Sequence, residues 1–389
     1  MIGSAAVDIR LFFPLAAGIL LNLSMGLLYG WSVLLVPLEE SLETNRASVS
    51  LAYSLSFIFL MLGGFITHRL LQWIPAPSLA LVTGIVGAIG LGLAGFGGSL
   101  TTLVIGFGVI YGLAAGVSYF LAMAVAGIDS PLPHSVSLSL NMAAFALGGV
   151  VWPPIFTALI NGMDVHAALN IAALVLLVAG MIAFAMLRIA GAKAPGSEDD
   201  AGMFHDMLTD RPRIIIALFF GFTFLAFAAL MVMGHAAGMA AEWQLENLSI
   251  GPMLANLGYI GGALLTGQIC RFVPGRIVLV GISLLAGGAM VLSWASPGVV
   301  LGLLMITLVG VSFGGASTSY PVAITSYYGL AALPRVYGRL AFSYGIGGLL
   351  GPLAAGAIFD VHGSYSLAII IAAILALLAA VAHGALPRK

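Results

Sequence analysis

The chain has 389 residues, of which 61% are hydrophobic and only 7% charged, with a net charge of −1 and a mean hydropathy of +1.15. A soluble domain carries roughly 25% charged residues. This chain therefore has too few charges to cover a water-facing surface, and a lipid-facing fold, where charge is penalised, is expected. The balanced charge excludes an electrostatically bound nucleic acid, and the single cysteine, Cys270, excludes an intramolecular disulfide and a cysteine-rich metal centre.

A spanning helix needs roughly 20 mostly apolar residues. Twelve segments qualify, at about 10–37, 47–67, 77–97, 101–126, 135–160, 166–190, 212–238, 248–270, 275–294, 298–327, 335–359 and 364–386. The first is expected to be a retained helix, because no small-residue cleavage site follows it. Turn formers and most charges fall between spans, as in "PLEESLETNR" and "WIPAPS". The longest polar stretch, 191–211, contains the acidic run Glu198, Asp199 and Asp200 and reads as a solvated linker. It divides the chain into six-helix halves, 1–190 and 212–389.

With the N-terminus in the cytoplasm, 12 of the 13 basic residues fall on the cytoplasmic side and only Arg46 lies outside. The positive-inside rule thus places both termini in the cytoplasm of a cell membrane, as in a bacterial inner membrane. The halves also repeat. "ALGGVVWPP" in span 5 aligns with "GIGGLLGPL" in span 11, so that Gly148, Gly149 and Pro153 match Gly347, Gly348 and Pro352 at an offset of 199. Tyr119 and Tyr320 fall close to equivalent. Such a parallel repeat implies a cavity between the halves near the bilayer midplane. The expected fold is all-α, twelve transmembrane helices in two six-helix halves.

Several segments resemble the monocarboxylate and oxalate–formate branch of the major facilitator superfamily. They are "GLLYGWSVLLVPLEESL" in span 1, "GLAAGVSYFLAMAVA" in span 4, "GGASTSYPVAITSYYG" in span 10 and "VYGRLAFSYGIGGLLGPLAAGAIFDVHGSY" in span 11, with the histidine of "MGHAAGMA" ending span 7. The resemblance implies a secondary or facilitative transporter of a small, monocarboxylate-like organic acid working by alternating access. It implies a monomer without cofactor, in contact with lipid, and protons are a candidate coupling ion. Two departures bear on this. In "GFITHRLLQW" His68 stands where the superfamily has the aspartate of its cytoplasmic latch, and in "GQICRFVPGR" Arg271 does. Ala263 and Tyr344 stand where relatives carry an arginine and a lysine as anion anchors. A larger, mostly neutral metabolite, drug or siderophore is the competing cargo, and a non-transporting assembly factor the competing role. No phosphate loop, metal motif or catalytic triad points to an enzyme.

No Asp, Glu, Lys or Arg falls in the middle of any span, so hydroxyl, amide and imidazole groups must satisfy a cargo's polar atoms there. Tyr29, Tyr119, Tyr320 and Tyr344, on spans 1, 4, 10 and 11, are candidates, with Ser343 beside Tyr344. Packing against neighbouring helices is the competing role for each tyrosine. Asn141 and Asn256 are costly in hydrocarbon unless bonded and must face protein or cavity. His235 either contacts cargo or carries a proton, or else is an interfacial side chain. His68, Arg69, Arg271 and Arg339 are candidate gate residues, although Arg339 could equally snorkel to the interface. The glycine pairs Gly112/Gly116, Gly310/Gly314 and Gly347/Gly351 read as close helix packing.

Overall fold

A computed structural model describes residues 9–126, 128, 130–192, 211–329 and 333–387; the side chains of 134, 135, 333–335, 339 and 341 lie outside that description. The described residues form an all-helical bundle. Its helices are α1 (Ile9–Gly30, continued by Ser32–Ser41), α2 (Arg46–Trp73), α3 (Ala76–Phe96), α4 (Leu100–Val125), α5 (His134–Gly162) and α6 (Val165–Ile189). The second half comprises α7 (Pro212–Met233, continued by Ala236–Glu242), α8 (Ile250–Ile269), α9 (Gly275–Ala295), α10 (Val299–Tyr328), α11 (Leu333–His362) and α12 (Ser366–Gly384). Eleven of these are long and apolar enough to cross a bilayer. The twelfth, α8, is 20 residues long but diluted by Asn256, Tyr259, Thr266, Gln268 and glycines. The start of α1 and the end of α12 fall on one face of the bundle, called here the near face. Most of the linker expected at 191–211 lies outside the described residues.

Close backbone contact between helices explains the glycines. Gly116 of α4 lies against the Leu60 carbonyl of α2, and Gly314 of α10 lies against the Tyr259 carbonyl of α8. A Cβ at either position would overlap the facing backbone, so the pairs set the helix separation. The repeat extends to the contacts between halves. Gly149 of α5 accepts the side chain of Asn256, and Gly348 of α11 accepts the ring of Phe57. Asn256 and Phe57 are themselves 199 residues apart, as Gly149 and Gly348 are.

Three helices depart from the regular spans expected from sequence; one of them, α7, breaks at Gly234 and His235. Helix α1 narrows to a 3-10 turn over Gly26–Gly30 before resuming at Ser32. Gly26 lies against the Phe145 carbonyl and Gly148 of α5, and a side chain there would force the helices apart. The irregular backbone needs outside donors, because lipid offers none. The Tyr111 hydroxyl donates to the Met25 carbonyl at 2.6 Å, Trp152 Nε1 to that of Leu23 at 3.3 Å, and Asn256 Nδ2 to that of Tyr29 at 3.3 Å. Helix α4 takes π geometry over Val104–Tyr111, which brings Tyr111 to this break.

Candidate functional site: a tyrosine-lined cavity between the halves

A cavity of about 140 Å³ lies between the two halves. Its wall comes from eight helices: Tyr29 (α1), Leu60 and Met61 (α2), Tyr119, Phe120 and Met123 (α4), Met142, Phe145 and Ala146 (α5), Phe222 (α7), Tyr259 (α8), Phe313 and Ser317 (α10), and Tyr337 and Tyr344 (α11). These residues run from mid-helix toward the near-face ends, so the cavity extends from the middle of the bundle toward the near face. Towards the far face the halves meet along α2 and α11 and along α5 and α8, where Gly356, Gly348 and Gly149 bring them together.

The polar atoms of the wall are five tyrosine hydroxyls and that of Ser317; among the described residues no Asp, Glu, Lys or Arg side chain reaches it. The Tyr29 and Tyr344 hydroxyls, one from each half, are 3.0 Å apart. Only one proton lies between them, so the accepting hydroxyl keeps its own proton for a solute, and lone pairs remain on both. Aromatic rings complete the wall. Tyr29 meets Phe145 edge-on at 5.4 Å and Tyr259 at 6.0 Å, and Phe313 stacks on Tyr344 at 5.8 Å and 9°.

Of the residues singled out from sequence, Tyr29, Tyr119 and Tyr344 stand on this wall. Tyr320 does not. Its hydroxyl donates to the Leu218 carbonyl and bonds His383 Nε2, while its ring stacks on the outer side of Phe222 at 4.3 Å. At the repeat offset of 199 the partner of Tyr119 is Thr318; Tyr320 lies two residues further, roughly 200° around the helix. Asn141 lies against Gly18, with its Nδ2 donating to the Ser137 carbonyl, and Ser343 donates to the Leu340 carbonyl. Asn256 bridges the halves through the carbonyls of Tyr29 and Gly149. His235 is fully buried toward the far face, bonded to Tyr365, Pro352 and Ser50. Sequence reasoning passed over Tyr259 and Tyr337. Tyr259 is the repeat partner of Leu60, which also lines the cavity, but nothing in the sequence marks Leu60 as a lining residue.

Among the described residues, the candidate gate side chains His68, Arg69 and Arg271 make no polar contact across the halves. His68, Arg69 and Arg271 are exposed; Arg69 lies 5.7 Å above the Phe65 ring on its own helix, and Arg271 bonds Gln268. The Arg339 side chain lies outside the described residues. Polar contacts across the halves gather instead on the far face, around Arg46. Its Nε pairs with Glu39 at 2.7 Å, its Nη1 donates to the Tyr365 hydroxyl at 2.9 Å, and its guanidinium lies 3.7 Å over the Phe359 ring. Asp360 of α11 accepts from the backbone N–H groups of Arg46 and Ala47 at 2.9 and 2.8 Å, capping α2 across the interface.

Two repeated helical halves around a central cavity, closed on one face, make this a polytopic membrane protein with the architecture of a carrier. The chain belongs to the Major Facilitator Superfamily, whose family model matches residues 15–332. It is 22% identical to an uncharacterized MFS-type transporter, YhjX, of Escherichia coli (strain K12) over 87% of this chain and 86% of the relative. It is also 22% identical to monocarboxylate transporter 13 of Rattus norvegicus, over 90% and 82%. Among solved structures, a bacterial homologue of the human lysosomal transporter Spinster, inward-facing and occupied, matches with a TM-score of 0.79 at 13% identity, covering 98% of this chain and 97% of the other. The nucleoside transporter NupG matches with a TM-score of 0.72 at 18% identity, covering 96% and 98%.

Proposed function

We propose that this protein carries a compact organic solute across the membrane by alternating access, holding it without net charge in the tyrosine cavity. The carrying observation is the Tyr29–Tyr344 hydroxyl pair, which spans the two halves at the head of a cavity lacking acidic or basic side chains among the described residues. A charged cargo there would lose its hydration with no counter-charge in reach. A neutral one exchanges water for hydroxyl hydrogen bonds worth about 0.5–1.5 kcal/mol each and for ring contacts. Modest affinity suits a carrier, which must release what it binds. The distribution of basic residues supports a cytoplasmic near face, so that the cavity opens inward. The protein works as a monomer in this proposal.

An organic acid is the second reading, favoured by the 22% identity to monocarboxylate transporter 13. It would be held protonated, or with its cation supplied from outside the described residues. Proteoliposome flux decides among these. Saturable uptake of neutral aromatic or heterocyclic solutes supports the first reading, and uptake of carboxylates alone supports the second. No flux of either, together with co-purification of a partner protein, supports an assembly role. Replacing Tyr29 and Tyr344 together by Phe removes two hydroxyls and no ring. Transport at limiting solute should then fall about tenfold, the equivalent of roughly 1.4 kcal/mol, with the melting temperature nearly unchanged. Unchanged transport would remove the pair from the binding site.

A further inference from the structure

The far-face cluster contains a histidine whose surroundings fix its protonation state. His235 Nε2 lies 2.8 Å from the Pro352 carbonyl oxygen, which can only accept, so Nε2 carries the proton. Nδ1 is 3.0 Å from the Tyr365 hydroxyl. That hydroxyl accepts from Arg46 and therefore has its own proton to give to Nδ1. The result is a directed chain, Arg46 to Tyr365 to His235 to the Pro352 carbonyl, with the Ser50 hydroxyl 3.3 Å from Nε2. It starts in the first half and ends in the second, so it exists only while the far face is shut.

A second proton on His235 would break this chain. It would occupy Nδ1 and point at the Tyr365 oxygen, leaving the phenol proton without an acceptor. It would also put an imidazolium one hydroxyl away from the guanidinium, with no free carboxylate between. Glu39 pairs with Arg46, and Asp360 caps α2. Glu242, from the segment following His235, accepts from the Ser364 hydroxyl and the Tyr365 N–H. Tyr53 of α2 is a further titratable neighbour, and its ring approaches Gly234. Helix α8 meets the segment through Gly251 against Ala236 and brings no titratable side chain to that contact.

We infer that His235 is a proton-binding switch on the far face: the closed face requires it neutral, and protonation opens the face by dismantling the Arg46–Tyr365–His235 chain. The inference rests on the alternating-access reading above. The sign follows from linkage. The open state admits water to the imidazole and can bind the extra proton, whereas the closed state cannot, so acidification shifts the population toward open. The range is that in which an ordinary histidine titrates.

Spin labels at Met163→Cys and Val300→Cys, in a Cys270→Ser background, test this. Both positions are exposed at far-face helix ends, one in each half. Pulsed electron-spin distance measurements on the reconstituted protein, from about pH 7.5 to about pH 5.5, should show the longer-distance population rising several-fold in the parent. It should stay flat in His235→Gln, whose amide can still donate to Pro352 and accept from Tyr365 but cannot titrate. The same rise in His235→Gln would assign the titration to another group, and a flat parent profile would mean no switch; either overturns the inference. Adding Gly356→Trp, which overpacks the α2–α11 contact, separates this from failure of the functional reading. If that variant also gives a single short distance at every pH, the far face does not open and alternating access itself fails.

Discussion

Replacing Gly356 by tryptophan should abolish transport while leaving each half folded. Gly356 sits where α11 meets α2, and a Cβ there would come within 2.9 Å of Ala47 Cα and of Ser50 Oγ. An indole cannot be absorbed by side-chain movement, because the obstacle includes backbone. Overpacking of this kind costs about 1–3 kcal/mol within a core. Here the strain is relieved by parting the halves on the far face, so it acts on the conformational equilibrium. At 1.4 kcal/mol per tenfold, the upper figure lowers the closed-to-open ratio about a hundredfold. The variant should elute as a monodisperse species with near-parental helicity. Its labels at residues 163 and 300 should stay at the longer distance, with flux in proteoliposomes close to background. Parental flux would show that α2 and α11 need not close on each other.

Removing Arg46 should have the next largest effect. Its guanidinium is partnered by Glu39, the Tyr365 hydroxyl and the Phe359 ring, and it is almost fully buried. Hydrogen bonds to charged groups contribute about 1.5–3 kcal/mol each, and a partly desolvated cation–π contact about 0.5–2 kcal/mol. The bonds to Tyr365 and Phe359 cross between the halves, whereas the bond to Glu39 lies within one half and orients the side chain. In Arg46→Leu the cross-half contacts are lost, and the far-face-open population should rise by at least tenfold at neutral pH. Arg46→Lys should recover only part of the effect, because an ammonium cannot pair with Glu39, bond Tyr365 and lie flat over Phe359 together. Distance distributions on the two variants check this; a closed far face in Arg46→Leu would leave the shut state to apolar packing.

Much of the architecture was legible because the membrane constrains it strongly. Spans are long and apolar, and their number and the internal repeat can be read directly. The GG-x-x-x-P match pairs α5 with α11 as repeat equivalents, and the second glycine of each, Gly149 and Gly348, packs against the opposite half. Three of the cavity tyrosines were legible for a similar reason, since a phenol in a charge-free span must find a polar neighbour. Tyr320 shows the limit. A residue two places out of register on a helix faces nearly the opposite way, and its partner, His383, lies in a span that carried no signal. Helix α1 hid its break because Gly26–Gly30 is as apolar as its surroundings; only the side-chain donors Tyr111, Trp152 and Asn256, distant in sequence, reveal it. The far-face lock was least legible of all. Arg46 stood out only as the lone basic residue on its side, and its partners Phe359, Asp360 and Tyr365 follow it by more than 300 positions.

The most direct test of alternating access around this cavity is a reversible cross-link between Ala47→Cys and Gly356→Cys, in the Cys270→Ser background. A Cβ on residue 356 would lie 2.9 Å from Ala47 Cα, an overlap far smaller than an indole's that a slight shift of α11 relieves, and the two sulfurs then come within the reach of a disulfide; flux before oxidation reports whether the cysteines themselves perturb the face. Flux should be measured on the same proteoliposomes before oxidation, after it and after reduction. Alternating access predicts that oxidation, locking α2 to α11 on the far face, stops transport and that reduction restores it. Undiminished flux through fully cross-linked protein would contradict it.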